Sequence, residues 1–191
     1  MRFYPVFKRL LDVALSLLAL ALLSPLWLLI ALLIRLGSPG AVIYRQVRTG
    51  RNGKEFMIYK FRSMVENADQ IGPLSTSQND PRITPLGRFL RRTGLDELPQ
   101  LVNVLLGDMS LIGPRPNTPS QQSQYSAATW EKRHHVRPGI TGLAQVSGRS
   151  NLDSQTQSAY DLTYVETLSF FLDCRILFKT VQAVISGRGT N

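Results

Sequence analysis

From Val13 to Ile34 the chain carries no charged residue, and this run, VALSLLALALLSPLWLLIALLI, is interrupted near its middle by Ser24-Pro25. As a helix it would rise about 33 Å at ~1.5 Å per residue, enough to cross a hydrocarbon core of about 30 Å. The flanks argue against a simple span. Arg2, Lys8 and Arg9 precede the run, and Arg35, Arg45, Arg48, Arg51 and Lys54 follow it. Basic residues gather on the cytoplasmic side of a span, and here neither end looks like the outside. Pro25 has no amide hydrogen and its ring meets the carbonyl four residues back, which disfavours an unbroken straight helix. Ser24 can bond a backbone group freed there. With a sharp kink, each limb of about 11 residues reaches only ~17 Å, roughly half the core. The run then enters and leaves by the same face. A bitopic anchor with a modest proline kink is the alternative, because membrane helices tolerate proline. A cleaved signal peptide fits less well: its apolar stretch is usually ~7–15 residues, and no small-residue cleavage site follows this one.

Beyond an anchor over residues 1–36, the 191-residue chain leaves residues 37–191 for one modest domain. A formal charge of +9 implies an anionic partner. After a membrane segment, acidic lipid headgroups and phosphorylated substrates rank ahead of nucleic acid. Part of the excess also serves topology, holding the flanks in the cytoplasm. A single cysteine, Cys174, excludes an internal disulfide and fits a reducing compartment. It sits in an apolar stretch and reads as a packing residue.

Short strands are predicted at AVIYRQ and EFMIYKFRSM, joined by a hairpin loop at Gly50-Arg51-Asn52-Gly53. Residues 66–84 are polar and form a long loop with Gly72-Pro73 and Asp80-Pro81, of a length that is more often functional than idle. Leu86 to Arg92 is a short basic amphipathic stretch. Asp96 to Leu106 places Leu98, Leu101, Val102 and Leu105 at helical spacing. Residues 120–134 and Ser154 to Ile185 also read as helical, separated by a Gly-rich segment from Arg137 to Arg149. The last helix can lie on a membrane rather than on a core.

His134-His135 makes a poor metal site, since adjacent residues on a helix diverge; both read as surface residues or contacts to an anion. Asp96-Glu97 is different because of its place. Inside a helix the two carboxylates would point about 100° apart, but at a helix start they can converge. Thr93-Gly94-Leu95-Asp96-Glu97-Leu98-Pro99 reads as such a start, with Pro99 in the first turn. An ordinary N-cap with an acidic first turn explains the pair equally simply. Basic residues stand around it: Arg91 and Arg92 upstream, Lys60 and Arg62 on the second strand, and Arg115 on a rigid Pro-Arg-Pro turn. Together they make a candidate phosphate-binding cluster around a carboxylate pair. Magnesium is the natural hard cation between acid and phosphate, and a carboxylate beside a neutralised diphosphate can attack phosphorus.

The motifs that carry these residues resemble those of the monotopic phosphoglycosyl transferases, the bacterial sugar transferases that begin lipid-linked glycan assembly. They are KRLLDVALSLLALALLSP, Lys60-Phe61-Arg62-Ser63-Met64, Asp80-Pro81-Arg82-Ile83-Thr84, Leu95-Asp96-Glu97-Leu98-Pro99-Gln100-Leu101, Gly113-Pro114-Arg115-Pro116 and Arg137-Pro138-Gly139-Ile140-Thr141-Gly142, in the family's order from about Lys8 to Ile185. The resemblance implies an α/β, helix-rich fold. A re-entrant broken membrane helix precedes a compact catalytic domain with amphipathic helices lying on the bacterial inner membrane, at its cytoplasmic face.

The implied reaction moves a sugar-1-phosphate from a UDP-sugar to undecaprenyl phosphate, with Mg²⁺, through a phosphosugar on an aspartate, and releases UMP. Asp96 is then the nucleophile, and Glu97 assists at the metal or phosphate, so that both are candidate metal ligands. Arg91 holds a phosphate, Lys60 and Arg62 shape the same pocket, Arg115 contacts the nucleotide, and Asp161 matches a late acidic position. Leu143 and Ser147 stand where many members have Trp and Asn, which bears on sugar choice. The chain reads as a minimal catalytic version without the extra membrane domain of longer relatives. The sugar and the oligomeric state, a homodimer included, stay open. The competing reading is a non-catalytic anchored module that binds acidic lipids through its basic surface.

Overall fold

The computed structural model describes residues 4–72, 80–148 and 153–186. Pro73 and the rest of the loop to residue 79, Arg149 and the flanking Arg2 lie outside them. Helix α1, Tyr4–Gly37, is 34 residues long and continues through Pro25. Pro25 therefore does not end the helix. A residue with an amide at this position would bond the Ala21 carbonyl. Ser24 Oγ donates to that carbonyl instead, at 2.9 Å. By length and composition α1 is apolar enough to cross a membrane, with a mean hydropathy of 2.7 in its most apolar window. Its buried residues are Asp12 and Ser16 in the first half and Ile30 and Ile34 near the end.

Strands β1, Ile43–Thr49, and β2, Glu55–Phe61, form the predicted antiparallel hairpin, with Tyr44 opposite Lys60 and Arg48 opposite Phe56. Its loop needs a left-handed backbone at Asn52 and Gly53 (φ 56° and 76°), which these two residue types tolerate. Both faces of β2 are covered. Phe61 packs with Ile30, Ile34 and Leu90, and Trp27 meets its ring at 5.1 Å. Ile58, one pleat face over, packs with Val104 and Met109.

A short helix α2, Ala68–Ile71, leads into the polar loop, and α3, Pro85–Thr93, follows it. Thr84 caps α3 by accepting from the Gly87 amide at 2.9 Å, with Pro85 in the first position. Gly87 has no room for a side chain, since a Cβ would lie 1.9 Å from the Ser63 carbonyl oxygen. That closeness locks α3 onto the end of the Lys60–Met64 segment.

After a 3₁₀ turn at Leu95–Glu97, helix α4 spans Gln100–Leu106 and β3 spans Ser110–Ile112. Helix α5, Ala127–Arg133, follows a 3₁₀ turn at Pro119–Gln124, so the helix expected over 120–134 is split at extended Tyr125. Strand β4, Gly139–Thr141, pairs in parallel with β3. Three residues are too few to show a strand period, and the sequence did not reveal this pair.

Helices α6, Leu143–Ser147, α7, Ser154–Thr167, and α8, Phe170–Ile185, complete the chain. A third core forms from Ile112, Tyr164 and Ile176. Asp173 on α8 ties it to the start of α1, accepting from Tyr164 at 2.8 Å, Lys8 at 2.7 Å and Tyr4 at 2.5 Å. Much of α8 faces outward, with Phe171 83% and Phe178 71% exposed.

Two single-residue expectations change. Cys174 is exposed rather than packed, because α8 carries apolar residues well beyond its buried face. His134 is buried rather than on the surface, with its ring 4.3 Å from Trp130 and Nδ1 2.6 Å from the Trp130 carbonyl.

Candidate active site

The dyad does not sit in the first turn of α4, as the sequence suggested, but in the 3₁₀ turn before it. Pro99 is the reason. Without an amide it cannot make an α-type bond to Leu95, and the backbone instead makes three-residue bonds, Glu97 N to Gly94 O at 3.1 Å and Leu98 N to Leu95 O at 3.3 Å. The two carboxylates are then treated very differently. Glu97 Oε1 accepts from Lys60 Nζ at 2.7 Å and from Arg115 Nη2 at 2.9 Å. Asp96 is 92% removed from solvent, and no described residue hydrogen-bonds its carboxylate.

The charges follow that geometry. Burial alone would push the Glu97 carboxyl up, but Arg115 and Lys60 together hold it well below the usual carboxylate range. Asp96 goes the other way. Burial and then the neighbouring Glu97 charge raise it, against the pull of Lys60, Arg91 and Arg115. Burial lowers the Lys60 ammonium in spite of Glu97. Arg91 is aimed by the Lys60–Met64 segment: its Nε donates to Ser63 Oγ at 3.0 Å. Lys60, Arg91 and Arg115 therefore converge on the dyad, as expected from the sequence. The Arg115 side chain remains 44% exposed, so the cluster is open on its side.

A site of this form presents one neutralised and one unneutralised carboxylate to an arriving anion. The chain matches the family of bacterial sugar transferases over residues 3–187. It belongs to that family. Among its relatives, the UDP-glucose:undecaprenyl-phosphate glucose-1-phosphate transferase of Klebsiella pneumoniae is 47% identical over 185 residues, covering 92% of this chain and 39% of that protein. The exopolysaccharide production protein PSS of Rhizobium leguminosarum bv. phaseoli is 45% identical, with 96% and 98% covered. An Aeromonas hydrophila UDP-N-acetylgalactosamine-undecaprenyl-phosphate N-acetylgalactosaminephosphotransferase is 41% identical, with 97% and 45% covered. The chain thus spans about two fifths of the first relative and nearly all of the second.

In this member of the sugar transferase family two of the residues singled out from sequence have other engagements. The Arg62 guanidinium closes the end of α1, donating to Ser38 O at 2.8 Å, Ser38 Oγ at 2.9 Å and Pro39 O at 2.5 Å. It shapes the turn after the apolar helix. Asp161 is buried against Arg133, whose Nε donates to it at 2.8 Å. Arg133 in turn donates through Nη2 to the Arg115 carbonyl at 2.6 Å and through Nη1 to Asn117. Asp161 therefore supports the Pro-Arg-Pro turn from behind.

One residue was missed. Arg48 donates to Pro116 O at 2.9 Å and to Gln46 Oε1 at 2.5 Å, while its buried Nε has no partner among the described residues. Burial and then Arg115 hold it below the usual guanidinium range. The hairpin register contained the signal: with Tyr44 opposite Lys60, a period of two puts Arg48 on the Lys60 face.

The dyad fits a hard divalent cation in part. Asp96 offers an unpaired buried carboxylate, suited to a magnesium ion that takes few protein ligands and the rest from phosphates and water. Glu97 Oε1 is already shared by two cations, so Asp96 is the better ligand. No group of three or more His, Cys, Asp or Glu that could hold a metal occurs among the described residues.

Proposed function

We propose that this chain transfers a sugar-1-phosphate from a UDP-sugar to undecaprenyl phosphate, the reaction class carried in the names of its relatives. The observation that carries the reading is the asymmetry of the dyad: Asp96 is buried and unpaired while Glu97 is held by Lys60 and Arg115. An Asp96 carboxylate oxygen attacks the sugar-bearing phosphorus. The new bond to Asp96 forms as the bond to the bridging oxygen breaks, and UMP leaves with that oxygen. The phosphate oxygen of undecaprenyl phosphate then attacks the same phosphorus and returns Asp96 as a free carboxylate. A carboxylate held above its ordinary range is more basic, and hence a better nucleophile. Arg91 and Arg115 bind and orient the diphosphate, and Glu97 fixes Lys60 and Arg115 in place. A magnesium ion on Asp96, when bound, supplies charge neutralisation to the phosphates. The product starts a lipid-linked glycan.

The test is UMP release from the full chain with a panel of UDP-sugars, magnesium and undecaprenyl phosphate. Release from at least one sugar is expected, with Asp96→Asn lowering it by about 10³-fold or more. Release unchanged by Asp96→Asn, or absent with every sugar, sinks the reading.

We also read α1 as re-entrant, at the cytoplasmic face of the inner membrane. Support comes from both of its ends touching one domain. Arg9 donates to Val104 O at 2.6 Å and Asp12 accepts from Leu111 N at 3.1 Å, while Ile30 and Ile34 pack on Phe61 and Leu90. A crossing span would separate those ends by a core of about 30 Å. Cysteines introduced at Tyr4 and at Ser38 should both resist an impermeant reagent in intact cells. Labelling at position 4 alone would restore the bitopic anchor.

A further inference from the structure

Away from the dyad, a cavity of about 130 Å³ opens between the start of α1, β3 and the junction of α7 with α8. It has room for several waters at about 30 Å³ each, and so for a phosphate group. Arg9, Arg51 and Arg137 line it. Backbone carbonyls hold one edge of each guanidinium. Arg9 donates to Val104 O and Leu105 O at 2.6 and 3.1 Å, Arg51 Nε to His135 O at 3.2 Å, and Arg137 Nε to Gly107 O at 2.8 Å. Among the described residues none of the three forms an ion pair, and the Nη groups of Arg51 and Arg137 have no partner.

The carboxylate on this wall is Asp12, and it is already engaged. It accepts from Ser110 Oγ at 2.7 Å and Leu111 N at 3.1 Å, and lies 3.8 Å from Lys8. Lys8 itself is paired with Asp173 at 2.7 Å. With Lys8 paired to Asp173, Asp12 is the one carboxylate facing Arg9, Arg51 and Arg137 across the cavity, which leaves an excess of positive charge. Arg137 registers the excess: burial, then Arg9 and Arg51, hold it below the usual guanidinium range against the pull of Asp12. Such an arrangement repels itself unless an anion fills it.

The setting says which anion. Lys8 and Arg9 stand immediately before the apolar run. On either side of them Phe7 and Leu10 are 49% and 65% exposed. Phe7 meets Phe170, two residues after cavity-lining Leu168, at 6.0 Å between rings. A polar pocket with an exposed apolar rim matches a ligand with a charged head and a hydrocarbon tail.

We propose that this cavity binds the phosphate group of a membrane lipid, with Arg9, Arg51 and Arg137 around the head and the tail against Phe7, Leu10 and Phe170. It shares no residue with the dyad cluster, so it stands or falls apart from the transfer reaction.

The test is native mass spectrometry of the full chain in detergent micelles, titrated separately with dihexanoyl phosphatidylglycerol, geranyl phosphate, dihexanoyl phosphatidylcholine and inorganic phosphate. One bound anionic lipid per chain is expected. Arg51→Glu should weaken it about tenfold, as should Arg137→Gln, while Arg175→Glu on exposed α8 stays within about twofold. Arg51 is exposed with one carbonyl bond, so Arg51→Glu keeps the fold even if Arg137→Gln does not. Tighter phosphatidylglycerol assigns a bilayer lipid, and tighter geranyl phosphate assigns a prenyl phosphate; both support the site. Affinity unchanged in Arg51→Glu, an equal loss in Arg175→Glu, equal binding of phosphatidylcholine, or inorganic phosphate bound as tightly as the lipids would each overturn it.

Discussion

Two carboxylate–guanidinium clusters stand on either side of the Pro-Arg-Pro turn, and they are built to opposite rules. Behind the turn, Arg133 and Asp161 are 1% and 2% exposed, and each nitrogen of the guanidinium has an acceptor: Asp161, Asn117 and the Arg115 carbonyl. In front of it, Arg115 and Glu97 are 44% and 18% exposed, Glu97 is shared by two cations, and Asp96 is left with none. The first cluster is saturated and closed, as a buried ion pair must be to hold a loop. The second is unbalanced and open, which an anion and a cation from solution can complete. Counting acidic and basic residues does not separate a structural cluster from a reactive one. Counting unsatisfied ones does.

The largest effect comes from breaking the closed cluster. Asp161→Asn removes the charge that balances Arg133 in a site closed to solvent. The expected cost is about 3–5 kcal/mol, read from denaturant or thermal unfolding. Arg133→Met with Asp161→Leu should recover only part of that loss, because the apolar pair needs no charge partner but leaves Asn117 Oδ1 and the Arg115 carbonyl without their donor. Since Arg133 also holds the Arg115 carbonyl, UMP release should fall in the single variant. A cost below about 1 kcal/mol for Asp161→Asn would mean the pair is not closed, and the contrast between the clusters fails.

The open half of this contrast is legible in the sequence; the closed half is not. The hairpin and the basic amphipathic stretch at Leu86 to Arg92 follow from spacing and turn chemistry; the order of the motifs groups Lys60, Arg91 and Arg115 with the dyad but does not by itself bring them together. Arg62 and Asp161 were misplaced for one shared reason. A charged residue in a motif looks the same whether it faces a substrate or a backbone carbonyl, and only the fold showed Ser38 and Arg133 as their partners. Arg48 was hidden differently, since its place depends on a strand register that local composition does not fix. Pro25 illustrates a competing interaction. The missing amide and the Ser24 bond to the freed carbonyl are both legible in the sequence; that the helix runs on through Pro25 is not.

The smaller effect tests the open cluster from within. The Asp96 carboxyl is raised above its ordinary 3.8, so between that value and its folded value the native state binds more protons than the unfolded one. Stability from this group is therefore present below about 3.8 and lost as pH rises through the folded value. Asp96→Asn removes the liability and should stabilise the protein at neutral pH. The gain should vanish in unfolding measurements below pH 3.8. Glu97→Gln should behave in the opposite sense. Its carboxyl is depressed from 4.5, so the wild-type advantage exists above that value and fades as pH falls. Neighbouring carboxylates with opposite signs of pH dependence are the signature of an unbalanced dyad. If both substitutions destabilise at neutral pH and the losses fade together in acid, Asp96 is a paired carboxylate like Glu97, and the claim that it is held ready for phosphorus has no physical basis.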